Sequence, residues 1–281
     1  MSSLNILKKL TQNNNAIFGL TVIFMTLIVA IFAPYIAPHE PNEQHLLNRL
    51  NPPSMKHPLG TDGHGRDLLS RIIFGSRISL MIGLISIGIG LGLGVPLGLT
   101  AGYFGGVYEE VVMRGIDILM SFPGILLALV VVAILGPGLF NVMVAIGVWS
   151  VPIFTRMVRG STLSIKEEEF IEAARAIGLG DFKIILKQVL PNCLAPILVL
   201  SSLRLATAIL SAAALSFLGL GAQPPTPDWG AMLSAGREYL RVAWWFSTFP
   251  GLAIMFVVLG FNLLGDGLRD ILDPKMRGNI R

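Results

Sequence analysis

Six runs of apolar residues set the fold of this chain before any motif is read. They cover residues 16–37, 78–102, 118–135, 139–155, 194–220 and 245–264. A helix rises 1.5 Å per residue, so ~20 mainly apolar residues cross the ~30 Å hydrocarbon layer of a bilayer. The third and fourth runs are short and separated by Gly136-Pro137-Gly138, a tight-turn signal. Together they are too long for one crossing, so they read as two. The expected fold is an all-α membrane protein of about six transmembrane helices. Composition agrees: charged residues make up only 14% and the mean hydropathy is +0.71. A soluble domain carries about a quarter charged residues and could not keep so apolar a surface wet.

The net charge of +4 and pI near 9.4 superficially suggest nucleic acid. The basic residues, however, sit between the apolar runs, which fits cytoplasmic loops better than a nucleic-acid surface. With both termini cytoplasmic, thirteen Lys and Arg fall in inner segments and seven in outer ones, and Arg204 lies within a span. That bias predicts N-in, C-in. Arg71 and Arg77 work against it, because they abut the second span on the outside. The run after Lys8 and Lys9 lacks a good cleavage site at Ala30-Ile31-Phe32-Ala33-Pro34 and reads as an uncleaved first span. The single cysteine, Cys193, rules out an intrachain disulfide.

The second span carries Gly90, Gly94, Gly98 and Gly102 at four-residue spacing, with Ser79 and Ser86 nearby. Such a row lets two helix backbones approach closely, either within the chain or against a partner subunit. Pro96 should kink this helix.

No lysine follows a glycine in a Gly-x-x-x-x-Gly-Lys-Ser/Thr pattern. The motor of any ATP-driven process is therefore expected on another polypeptide. Buried carboxylates of the kind that couple ions are scarce, which argues against a secondary transporter. No nucleophile–base pair sits at membrane depth, which argues against a membrane enzyme. Arg204 is the one interior charge. At ~2.5–3.5 kcal/mol on insertion scales it should face a watery path or a partner, unless the span is long enough to place it near a boundary. His39, His45, His57 and His64 share one loop with Asp62 and Asp67. Their spacing matches no metal motif, so a solvated loop without metal is expected.

Residues 156–192 carry the functional pattern. Ser164 and Glu167 are spaced as a capping box. Glu167-Glu168-Glu169 suits a first helical turn. Phe170, Ala173, Ala174 and Ile177 would form one apolar face, and Gly178-Leu179-Gly180 would stop the helix. A second short helix would run from about Asp181 to Leu190 and end at Pro191. The result is an amphipathic helix–turn–helix offering a docking surface. A helix lying on the membrane is the alternative, disfavoured because three glutamates would be repelled by anionic lipid.

Glu172-Ala173-Ala174, then Gly178, then Leu190-Pro191 resembles the EAA loop of bacterial ABC importer permeases, with Gln188 where isoleucine is usual. Leu59-Gly60-Thr61-Asp62 and Gly65-Arg66-Asp67 resemble the segment before the second span of C-type permeases of dipeptide, oligopeptide and nickel importers. Residues 191–196, 221–230 and 261–270 are similar to the dipeptide branch. The resemblance implies a type I importer fold. Residues 1–77 would be an added first helix and outer loop, 78–266 the permease domain with its coupling loop at 156–192, and 267–281 a cytoplasmic tail. It implies a heterodimer with a second permease, two cytoplasmic ATPases that hold ATP and Mg, an external substrate-binding protein, and an inner-membrane location. The cargo would be short peptides, or alternatively glutathione or a nickel chelate. Glu172, Ala173, Ala174, Gly178, Leu190 and Pro191 would couple to the ATPase, with no cofactor in this chain.

Overall fold

The computed structural model describes residues 13–272. Lys8, Lys9, Lys275, Arg277 and Arg281 lie outside the described residues. The described residues are mainly helical, joined by turns and one long loop, residues 38–67. Its helices are α1 (Asn14–Ile31), α2 (Leu68–Phe104), α3 (Gly106–Met120), α4 (Gly124–Leu135), α5 (Leu139–Ile165), α6 (Glu169–Ala176), α7 (Asp181–Phe217), α8 (Trp229–Gly236) and α9 (Trp245–Leu272). Five of them, α1, α2, α5, α7 and α9, are each long and apolar enough to cross a membrane. The bent pair α3–α4 supplies a sixth candidate crossing.

Three expected spans are corrected. The second begins at Leu68, because the Asp67 carboxylate accepts the Ser70 N–H at 2.8 Å and caps the helix there. Its outer turns can carry Arg71 and Arg77 because backbone oxygens receive them. Arg71 donates to the Pro41 carbonyl at 2.9 Å and Arg77 to that of Ala30 at 2.5 Å. The third run is broken at Ser121–Pro123, and α3 and α4 meet at 89°. Pro123 has no N–H to donate and pushes the residue before it out of helical geometry. The fifth span starts at Asp181, far earlier than expected. Helix α2 runs through Pro96 without interruption.

Helix α2 packs most extensively on α5. A Cβ built on Gly90, Gly94, Gly98 or Gly102 would lie 2.7, 2.8, 2.6 and 2.8 Å from Ser150 Cβ, Phe154 Cβ, the Thr155 carbonyl and Thr162 Cβ. The glycine row is thus seated on a helix of the same chain. Helix α1 lies against α9. A Cβ built on Gly19 would lie 2.6 Å from the Gly260 carbonyl oxygen, and Asn13 donates to Asp270 at 3.3 Å. That antiparallel contact puts the start of α1 and the end of α9 on one side. Arg156 on α5 pairs with Asp117 on α3 at 2.5 Å, and Arg159 pairs with Glu109.

The loop between α1 and α2 is solvated only in part: His45 and His64 are exposed as expected, but its end nearest α2 is not. Asp62, Asp67 and His57 are buried. Asp62 accepts the Arg66 Nε at 2.6 Å and the backbone N–H of His64 and Arg66. Burying these charges is tolerable because each is paired and hydrogen-bonded.

Candidate functional site

The site is built at the corner where α5, α6 and α7 meet. Helix α6 is short and begins at Glu169, with no side-chain cap from Glu168. The expected capping box does not form. Helix α5 continues to Ile165, so Ser164 is helical and its hydroxyl donates back to the Gly160 carbonyl at 3.4 Å. Glu169 and Glu172 stand in the first turn of α6, and Glu167 and Glu168 precede it.

Helix α6 ends in a Schellman turn. Gly178 has φ +79, its N–H reaches the Arg175 carbonyl at 2.9 Å, and the Leu179 N–H reaches that of Ala174 at 3.1 Å. Leu179 then packs on the cluster holding Ala174. The left-handed angle is where glycine's missing Cβ matters.

The two faces of α6 divide differently from the sequence expectation. Ile171 and Ala174 point inward, packed with Ile184, Val189 and Cys193 of α7 and Leu99 of α2. Ala174 therefore helps seat the helix on its own chain and is not on the outer face. Phe170, Glu172, Ala173 and Ile177 face out, and Ile177 is 77% exposed. Phe182 and Leu186 at the start of α7 extend this exposed apolar surface, Phe182 being 71% exposed. Sequence reasoning missed both. The available signal was large apolar residues inside a loop otherwise rich in charge.

Pro191 does not end a separate second helix. Residues Ile185–Val189 form a π-turn and the helix continues into Leu190–Phe217. Proline clashes with the carbonyl four residues back, here Lys187, and the widened turn relieves that clash. Leu190 is half-buried and Pro191 exposed.

The corner is tied to α2 by polar contacts the sequence did not suggest. The Tyr103 hydroxyl donates to Asp181 at 2.8 Å, and Arg175 lies over the Tyr103 ring at 5.3 Å. The adjoining Tyr103 side chain, then the charge of Asp181, holds the Arg175 guanidinium above its usual range despite some desolvation. Arg175 thus stays cationic at the C-terminal turn of α6, where the helix dipole favours it.

Arg204 stands apart, in the middle of α7. It lies over the Trp149 ring of α5 at 4.7 Å and donates to the Ser150 hydroxyl at 3.4 Å. Among the described residues no acceptor reaches its Nε. The glycine row lies along α2–α5 and is not part of the α6–α7 corner.

Comparison with known proteins places this geometry. Residues 94–278 match the family described as binding-protein-dependent transport system inner membrane component. Residues 5–53 match the N-terminal TM domain of oligopeptide transport permease C. The dipeptide transport system permease protein DppC of Alkalihalophilus pseudofirmus is 50% identical over 270 residues, covering 96% of this chain and 89% of that one. The glutathione transport system permease protein GsiD of Escherichia coli O6:K15:H31 is 47% identical over 272 residues, covering 96% and 90%. The di/tripeptide transport system permease protein DppC of Pseudomonas aeruginosa is 45% identical, covering 95% and 90%. An inward-facing structure of the MetNI methionine ABC transporter shares the fold with TM-score 0.58 at 23% identity, covering 71% of this chain and 95% of that one.

Proposed function

This chain belongs to the binding-protein-dependent transport system inner membrane component family, and we propose that it is one half of the pathway of an ATP-driven importer of short peptides. The observation that carries the reading is the α6–α7 corner. It presents to solvent Ile177, at the end of a small helix whose other face is firmly seated, and Phe182, at the start of α7. Apolar side chains that exposed beyond the membrane mark a partner surface. The partner is a cytoplasmic ATPase, which holds ATP and Mg. A second, homologous permease completes the pathway and an external binding protein delivers cargo. The α6 side, both termini and the tail from 267 then face the cytoplasm, and residues 38–67 face outward. Residues 78–266 form the permease domain.

Short peptides are favoured as cargo because relatives at 45–50% identity are named for dipeptides, di/tripeptides and glutathione. Arg204 lines the pathway, since its guanidinium is only partly satisfied by Trp149 and Ser150. There it would meet a peptide carboxylate.

The coupling surface is tested with Ile177→Asp and Phe182→Asp. Burying either side chain in a groove stabilises by ~1.5–3 kcal/mol, so its loss should weaken ATPase retention about tenfold or more. Membrane insertion and solubilised yield should not change. Wild-type retention by both variants would remove this surface from the mechanism. Cargo is tested separately in proteoliposomes holding the assembled complex, by competing labelled dipeptide uptake with glutathione.

A further inference from the structure

The outer loop contains a pair of histidines arranged as metal ligands are, away from the α6–α7 corner. His57 is 5% exposed, and its Nδ1 lies 2.9 Å from Asp67 Oδ1. The other Asp67 oxygen already accepts the N–H and hydroxyl of Ser70, both at 2.8 Å. With Oδ2 so occupied, Oδ1 is the oxygen left to accept Nδ1–H from His57. In the neutral tautomer that gives this bond, Nε2 keeps a lone pair. Among the described residues no hydrogen-bond donor reaches this buried nitrogen.

His39 repeats the pattern. Its Nε2 lies 2.9 Å from the Lys56 carbonyl, an obligate acceptor, so Nε2 carries the proton and Nδ1 the lone pair. The two rings stand 4.8 Å apart, centroid to centroid, tilted by 35°. One ligand-type atom from each of His39, His57 and Asp67 lies within 4.8 Å of the others. A cavity of about 30 Å³ opens between these residues, also lined by Glu40, Glu43, His45 and Lys56. Glu43 and His45 pair with each other at 3.2 Å and are half exposed.

We propose that this cavity binds one divalent transition metal ion of the zinc class, with His39 and His57 as nitrogen ligands. Three features carry it. A buried imidazole lone pair without a donor costs free energy that a cation would recover. Metal-binding histidines characteristically pass their other N–H to a carboxylate or a backbone carbonyl, and both of these do. Glu40, Glu43 and His45 line the same cavity, and water would complete the shell of a tetrahedral ion. Asp67 is a positioning residue here, orienting His57. A bound ion would staple the segment after α1 to the loop that caps α2. Lys56 is exposed and contributes its backbone carbonyl.

The test uses the full chain in its purified complex, stripped with chelator and titrated with Zn²⁺ alone against a chromophoric competitor. One equivalent should bind tightly, and His39→Ala and His57→Ala should each weaken binding at least tenfold. His64→Ala should leave it unchanged. Co²⁺ should give tetrahedral visible bands in the wild type that vanish in His39→Ala. His39→Ala leaves the buried His57–Asp67 pair in place, so its result stands even if His57→Ala folds poorly. Absence of stoichiometric binding, or binding insensitive to His39, would overturn the proposal. So would binding lost on His64→Ala.

Discussion

Gly178 and Gly180 are two residues apart at the proposed coupling corner, and they separate backbone geometry from packing. A Cβ built on either meets nothing within 4 Å. Gly178 has φ +79 and Gly180 φ −70. A side chain at Gly178 therefore clashes with no neighbour, and its whole cost is the left-handed backbone. For an L residue that is ~1–2 kcal/mol, at the upper end when β-branched. The cost falls on the turn closed by Gly178 N–H to Arg175 and Leu179 N–H to Ala174. It shifts the turn's equilibrium by a factor of ~5–30. Gly178→Val should thus cut substrate-stimulated ATP hydrolysis by the reconstituted complex several-fold at equal subunit stoichiometry. Gly178→Asn, which tolerates this angle, should lose little. Gly180→Ser sits at the N-cap of α7, where serine is favoured, and should keep full activity. Wild-type stimulation in Gly178→Val would refute the reasoning, and so would an equal loss in Gly180→Ser.

Gly98→Leu should lower the thermal midpoint of the solubilised complex. Its Cβ would lie 2.6 Å from the Thr155 carbonyl and 2.8 Å from Val158 Cβ, and overpacking costs ~1–3 kcal/mol. Gly92→Ala, with nothing within 4 Å, should not lower it, as differential scanning fluorimetry would show. Arg204→Ala should reduce dipeptide uptake in proteoliposomes while subunits copurify normally, and full uptake would take Arg204 out of the pathway. In a Cys193→Ser background, Asn51→Cys should react with an impermeant thiol reagent in intact spheroplasts and Glu168→Cys should not. The reverse pattern would invert the proposed orientation.

Much of the architecture was legible because a bilayer leaves few options for long apolar runs. Boundaries were less so. The second span reads as starting near 78 because Arg71 and Arg77 look foreign to a membrane helix, yet backbone carbonyls from Pro41 and Ala30 receive them. Those acceptors come from 30 and 47 residues away, so no local pattern could show them. The stop at Gly178 was visible because positive φ has a residue preference. The capping box at Ser164 and Glu167 failed because spacing alone does not say whether the preceding helix has ended. The outer loop misled because charge reads as solvation, whereas Asp62 and Asp67 are buried among their own partners.

The error about Pro191 bears most on mechanism. If proline ended a second short helix, the α6–α7 corner would be joined to the fifth span by a hinge. The structure gives instead one helix of 37 residues from Asp181 to Phe217, ~55 Å long, with a π-turn near its start. Its first residue is held by Tyr103 of α2, and its middle carries Arg204 against Trp149 and Ser150 of α5. Beyond its far end, the Leu220 carbonyl accepts the Gly138 N–H at the turn between α4 and α5. Phe182 and Arg204 thus stand on one continuous helix that ends near the α4–α5 turn, with no loop between them. The rod departs from regular α geometry at the π-turn and lacks a ladder N–H at Pro196. Under the coupling role proposed above, a push on this corner is carried through Ile185–Val189, the turn that accommodates Pro191.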